Sequence, residues 1–243
     1  MSQTIAPQPP IQTTGDPIPR ERLERDVAQV LEVLYGGGVA IVPLDVAYAI
    51  VGHREDAIRR IFAAKNRSYE KPSGMFSNWR MSEEIHILPD EKREMIRTVI
   101  EQDRLPFSVV APFRDDHACF REVDPFVIQN STKAKTLDML LNAGAFHDEI
   151  ARQSSAAGKP VFGSSANTSL KGSKYRLQEI EPEVLAAADI CVDYGQSKYA
   201  NDQGRSSTII DFNDFSVIRV GVVFDKVRQA FKDRFDVDLK LQS

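Results

Sequence analysis

Apolar positions along this chain recur at helical spacing in several windows, with short apolar runs between them. Leu23, Val27, Val30, Leu31 and Leu34 form one stripe, predicting an amphipathic helix from about Arg20. Gly36-Gly37-Gly38 ends it, because glycine enters the left-handed conformation of a helix terminus without steric cost. Val39-Ala40-Ile41-Val42-Pro43 predicts a short buried strand, and Ile58, Ile61 and Phe62 mark the apolar side of a helix over 55–64. Further on, Met75-Phe76 predicts a strand, 90–102 a helix carrying Met95, Ile96 and Val99, and 107–113 a strand. Residues 114–136 mix charges with Phe120, Val123, Phe126 and Val127 and give only a long connection. A helix over 145–157 closes at Gly158, and Pro160-Val161-Phe162-Gly163 is a strand. A helix over 178–188 and a strand at 190–192 follow. Strands at 207–212 and 217–220 turn over Asn213-Asp214, and an amphipathic helix spans 223–235. With no internal repeat and no interior linker, one mixed α/β domain over 20–243 is expected. Residues 1–19 hold five prolines and no apolar period, the pattern of a disordered or loosely draped tail.

Composition narrows the function classes. The 243 residues are 42% hydrophobic and 27% charged with a net charge of −4, as in an ordinary globular protein with a sizeable core. That balance gives no general attraction to nucleic acid or anionic membranes. No apolar run reaches the roughly 18 residues of a membrane span and no leader pattern opens the chain, so a cytoplasmic location is expected. Cys119 and Cys191 stand far apart in no metal or redox spacing. His53, His86, His117 and His147 sit singly, so no histidine metal site is predicted.

Two polar segments stand out. Lys65-Asn66-Arg67-Ser68-Tyr69-Glu70-Lys71-Pro72 places three cations just past a helix end. On an irregular segment Lys65 and Arg67 fall on one face, where a planar guanidinium and a compact ammonium hold one anion together. The same residues also make a plain solvated turn. Later, Ser164-Ser165-Ala166-Asn167 follows directly on a strand, presenting hydroxyl and amide groups where α/β proteins tend to bind ligands. An ordinary turn reads the same way. Ser165 lacks the Gly-x-Ser-x-Gly setting of an acyl nucleophile. Arg219 lies within Val217-Ile218-Arg219-Val220, pointing either to solvent or into a site.

Together these pieces resemble the YrdC family, whose members make L-threonylcarbamoyladenylate for the tRNA modification threonylcarbamoyladenosine. The resemblance runs over about residues 24–221. It rests on the glycine-rich entry to a strand with Pro43 and Tyr48, on Lys65-x-Arg67 with Lys71-Pro72, and on Gly158-Lys159-Pro160 leading into Ser165-Ala166-Asn167. Ser207-Thr208-Ile209-Ile210-Asp211 and Ile218-Arg219-Val220-Gly221 are similar to the closing strands. It implies a twisted, open, mixed sheet flanked by helices around a concave cavity. Lys65, Arg67, Ser165 and Asn167 would be the catalytic tetrad, and Lys71, Ser164, Ser207 and Arg219 would seat ATP. Leu44, Val46 and Tyr48 would border the substrate pocket. ATP would be a substrate with Mg2+ carried on it, beside an amino acid and bicarbonate. Partner proteins of tRNA modification would be possible associates, without membrane attachment or direct nucleic-acid binding.

The departures are specific. The family's Pro-Thr-x-Thr-x-Tyr-Gly is Pro43-Leu44-Asp45-Val46-Ala47-Tyr48-Ala49 here, and its Pro-Gly-Pro-x-Thr is Leu105-Pro106-Phe107-Ser108-Val109. An arginine expected before the central helix has no counterpart around Asn142-Ala143-Gly144. Losing polar pocket partners shifts selectivity by orders of magnitude. Three readings therefore stand: a threonylcarbamoyladenylate synthase, a paralogue with the same adenylating chemistry on another acceptor, and a non-catalytic RNA-binding module.

Overall fold

Each predicted stripe finds a sheet to cover it. In the computed structural model, which describes residues 11–241, α1 (Arg20–Tyr35) buries Val27, Val30, Leu31 and Leu34. Then come β1 (Ala40–Val42), β2 (Ala49–Gly52), α2 (Glu55–Ala64), β3 (Gly74–Phe76), α3 (Trp79–Ile85), α4 (Asp90–Glu101) and β4 (Phe107–Pro112). The chain continues through α5 (Pro125–Gln129), β5 (Thr132–Lys133), β6 (Thr136–Leu141), α6 (Ala145–Ala156) and β7 (Val161–Ser165). It closes with α7 (Pro182–Leu185), β8 (Ile190–Cys191), β9 (Ile209–Asp211), β10 (Ser216–Arg219), α8 (Phe224–Phe235) and β11 (Lys240–Leu241). The strands join in one mixed sheet of order β11-β10-β9-β4-β6-β3-β7-β2-β1-β8, with β5 paired to β6. The fold is the open, helix-flanked α/β sheet the sequence predicts.

Strand alternation sorts side chains onto two faces. Ile41, Ile50, Met75, Val109, Met139 and Phe162 point toward α2, α3, α4, α5, α7 and α8 and form the larger core. Val42, Ala49, Phe76, Leu140 and Val161 point the other way, against α1 and α6. These two helices cover only part of that face. Where they stop, β4, β6, β9 and β10 present Ser108, Asp138, Ile209 and Arg219 to an open cleft.

Several elements differ from expectation. The helix predicted over 178–188 is a single 3-10 turn, Leu177–Glu179, and the short α7 that starts at Pro182. Proline lacks the N–H and its ring clashes with the carbonyl four residues back, so one continuous helix cannot form. The connection over 114–136 holds a 3-10 turn (Ala118–Phe120), α5 with Pro125 at its start, and β5. β2, β6, β11 and α3 carried no prediction. α3 is started by Asn78, whose Oδ1 accepts from the Met81 N–H at 3.0 Å.

Of the tail expected over 1–19, residues 1–10 lie outside the described residues. Residues 12–14 run beside 195–198. Thr14 N–H donates to Gln196 O at 2.9 Å and Gln196 N–H to Gln12 O at 3.0 Å. Lys198 N–H donates to Thr14 Oγ1 at 3.0 Å.

Candidate functional site

The end of α2 sets the cationic segment. Lys65 N–H and Arg67 N–H still donate to Ile61 O and Phe62 O, at 3.1 and 2.9 Å, while Asn66 takes a left-handed φ of 48° and turns the chain out. Lys65 is 1% exposed, and its ammonium donates to the backbone carbonyls of both Ser165 and Asn167. Ser169 N–H returns a bond to Lys65 O at 2.9 Å. The two polar segments, 100 residues apart in sequence, are thus clamped to each other. Burial, reinforced by the nearby Arg67 charge, pushes the Lys65 ammonium down to about 7. In this arrangement Lys65 holds the turn in shape rather than gripping an anion directly.

β7 delivers the turn. Ser165 Oγ donates to Asn167 Oδ1 at 2.5 Å, and Asn167 Nδ2 donates to Thr168 O at 2.7 Å. Gly163 is required just upstream, since a Cβ there would meet Ile50 O at 2.4 Å. Alternation puts Ser165 on the cleft face and turns the neighbouring Ser164 hydroxyl to the opposite one, where it has no hydrogen-bond partner. Ser164 therefore reaches the cleft only through its backbone.

Two guanidinium groups complete the cationic wall. Arg67 donates through Nε to Lys71 O at 2.9 Å and through Nη2 to Pro72 O at 2.7 Å. Arg219 donates through Nε to Ser207 O at 3.0 Å and through Nη2 to Ser207 Oγ at 2.9 Å. A register shift between Val217 and Arg219 explains why Arg219 faces the cleft, for simple alternation would turn it to the same side as the core residue Val217. Gly221 lets the following segment lie against 206–208, where a Cβ would meet Ser206 O at 2.3 Å.

The hollow between these residues has two parts. The outer cleft, about 920 Å3, is lined by Lys65, Arg67, Lys71, Ser165, Asn167 and Arg219, with Lys133, Asp138 and Asp211. An inner chamber of about 110 Å3 adjoins it, sharing Arg67, Asp138, Ser165 and Arg219, and adds Leu44, Val46, Tyr48, Ser108, Leu140 and Ser207. All the singled-out residues therefore border one hollow. Tyr48 does so without its hydroxyl, which lies 2.7 Å from Asp193 Oδ1 and 2.8 Å from Gly195 O. A separate groove of about 380 Å3 beside α3 and α4 is lined by charged side chains such as Arg97 and Glu94, paired at 2.6 Å, and holds none of the predicted residues.

Sequence reasoning missed Asp138. Its Oδ1 is buried without a hydrogen-bond partner, and the only signal was an acid in the apolar run Leu137-Asp138-Met139-Leu140. Burial raises its carboxyl, opposed by the Arg219 charge, the Ser108 hydroxyl and Arg67. Burial in turn pushes Arg67 down to about 10, with the Arg219 charge adding to it and Asp138 opposing. The cleft is therefore charged but mixed in sign, suited to a polyanion that brings its own cation. Among the described residues no group of three or more His, Cys, Asp or Glu could hold a metal ion, and no helix is long and apolar enough to cross a membrane.

A family model described as Sua5/YciO/YrdC, telomere recombination, matches residues 32–221. Among solved structures, a hypothetical protein of Streptococcus mutans superposes with a TM-score of 0.72 at 18% identity, over 88% of this chain and 94% of that one. Sua5 of P. abyssi, solved in complex with L-threonine, gives 0.65 at 19% identity over 90% of this chain. The chain spans 59% of that Sua5's length. E. coli YciO gives 0.58 at 18% identity, covering 82% of this chain and 89% of its own. Identities this low establish the fold alone. No curated protein sequence matches the chain.

Proposed function

The chain belongs to the Sua5/YciO/YrdC family, and on that premise we propose that its cleft forms an N-carbamoyl amino-acid adenylate from ATP, an amino acid and CO2 or bicarbonate. The observation that carries the reading is the clamp between Lys65 and the Ser165–Asn167 turn, which brings Arg67 and the Ser165 hydroxyl to one hollow that Arg219, held by Ser207, also lines. The free amine adds to the carbon of CO2 and gives up one N–H proton to solvent, leaving a carbamate whose oxygen attacks the α-phosphorus of ATP. The bond to the β-phosphate oxygen breaks, and pyrophosphate leaves with the negative charge. Charge grows on the carbamate and the departing phosphates, so fixed cations and N–H donors already in place lower the barrier. Arg67 and Arg219, each held by two hydrogen bonds, are such fixed donors. A divalent ion entering with the nucleotide would neutralise phosphate charge. The outer cleft, at about 920 Å3, is large enough for a nucleotide.

L-threonine is the acceptor that family membership favours. A second reading, another acceptor, is favoured by Leu44 and Val46, which border the chamber at 2% and 1% exposure where the family carries hydroxyls.

The test is pyrophosphate release by the full chain given ATP, bicarbonate and a set of amino acids. Release with at least one of them supports the proposal, and none with any defeats it. Arg67→Ala should lower turnover about 10²- to 10³-fold, the usual effect of removing one fixed donor, with the circular dichroism spectrum unchanged. Lys65→Ala is the poorer probe, because it leaves two carbonyls of the turn without their donor.

A further inference from the structure

We propose that the inner chamber selects an α-amino acid with a compact aliphatic side chain, the size of valine, over threonine. The inference rests on the reading that the cleft adenylates a carbamoylated amino acid, and it names the acceptor.

The chamber's chemistry is divided. On one side Leu44 and Val46, from the connection between β1 and β2, face Leu140 of β6. All three are buried, and their side chains are purely hydrocarbon. On the side that opens to the outer cleft stand Asp138, Arg67 and Arg219. Asp138 and Leu140 lie two residues apart on β6, so they share a face and mark the boundary between the two environments. The Asp138 Oδ1 atom is buried without a partner, an acceptor that a bound ammonium would satisfy. Arg67 and Arg219 each use Nε and Nη2 on protein oxygens and keep Nη1 for a ligand carboxylate. An ammonium, a carboxylate and an aliphatic branch thus each meet a matching group, within a volume of about 110 Å3.

A threonine side chain does not match this wall. Its hydroxyl would be pressed against Leu44, Val46 or Leu140, losing water without gaining a partner. Five serines line the chamber, and Ser108, although it lies opposite Leu140 on the neighbouring strand, turns its hydroxyl to the Asp138 carboxyl. Ser165 and Ser207 engage Asn167 and Arg219, and Ser164 points to the other sheet face. An apolar pocket rejects an isostere bearing one extra hydroxyl by about 10- to 100-fold, no more. That bounded preference is the quantity to measure.

Calorimetric titration of the full chain, with a non-hydrolysable ATP analogue present, should show L-valine binding about 10- to 100-fold more tightly than L-threonine. L-2-aminobutyrate should fall between them. Leu44→Thr/Val46→Thr should reverse the order, and Leu140→Thr offers the same reversal if the double variant does not fold. Asp138→Asn should weaken valine but leave isovalerate, its desamino analogue, unchanged. Threonine binding as tightly as valine to the unaltered chain, or no binding by any amino acid, overturns the inference. Pyrophosphate release is scored separately: valine bound selectively without release upholds the chamber's selectivity and defeats the adenylation reading alone.

Discussion

Lys65 shows how a residue singled out by sequence can make contacts that the sequence does not announce. The Lys-x-Arg spacing and the Ser-x-Asn turn were expected to hold one anion between them, and both border one hollow. That the ammonium would instead reach two backbone carbonyls depends on where β7 ends, which no local pattern encodes. Burial has a consequence in pH. The native ammonium titrates near 7, against 10.5 for an unperturbed lysine. Between those values the unfolded chain binds more protons than the native one, so this residue's contribution to stability rises with pH across the window. Below pH 7 both states are charged and the full penalty for burying the charge remains. The unfolding free energy from urea melts should therefore rise more steeply between pH 7 and 10.5 for the native sequence than for Lys65→Met. Parallel curves would show that Lys65 is not the buried titrating group. Asp138 was illegible for the opposite reason: a carboxylate inside an apolar run reads as a break in the strand, and only the pairing of β6 with β3 and β4 restores it.

Among the elements, long amphipathic helices were the easiest to foresee, because their stripes repeat over several turns. α1, α2, α4, α6 and α8 lie within a residue or two of their expected bounds. Short strands buried on both sides were not. β2 is four residues, all buried, with no alternation to betray it. Its pairing with β7 nevertheless fixes the site, since Ala49 lies opposite Ser165 and Val51 opposite Gly163. Gly163→Ala would place a methyl 2.4 Å from Ile50 O and 2.7 Å from Val51 Cγ1. Forcing that contact should destabilise the fold by about 1–3 kcal/mol and move Ser165, lowering turnover alongside the urea midpoint. A variant as stable as the native chain would mean that β2 and β7 can part without strain.

At the scale of the molecule, net charge and local charge disagree. The chain carries −4 overall, yet Lys65, Arg67, Lys71, Lys133 and Arg219 converge on the outer cleft beside Asp138 and Asp211. A concave, low-dielectric cleft focuses such a field, so association with a nucleotide should slow by about tenfold between low and physiological ionic strength. Stopped-flow binding of a fluorescent ATP analogue measures this, and a rate indifferent to salt would remove these cations as the attractor. The same mixed lining weighs against the RNA-binding module, since Asp138 and Asp211 would face phosphates along a single strand.

The early segment at 12–14, clasped to 195–198, also has a mechanical reach. The next residue of that second strip, Tyr199, holds Asp45 O through its own N–H at 2.9 Å, and Asp45 sits between Leu44 and Val46. Tension at Gln12 is therefore relayed through this short brace to the aliphatic lining, and a second path, Ser197 N–H to Tyr175 O at 2.8 Å and Tyr175 Oη to Arg205 O at 2.7 Å, leads toward Ser207, which holds Arg219. Both linings of the hollow thus hang from one early anchor, so a truncation through Thr14 should loosen each of them.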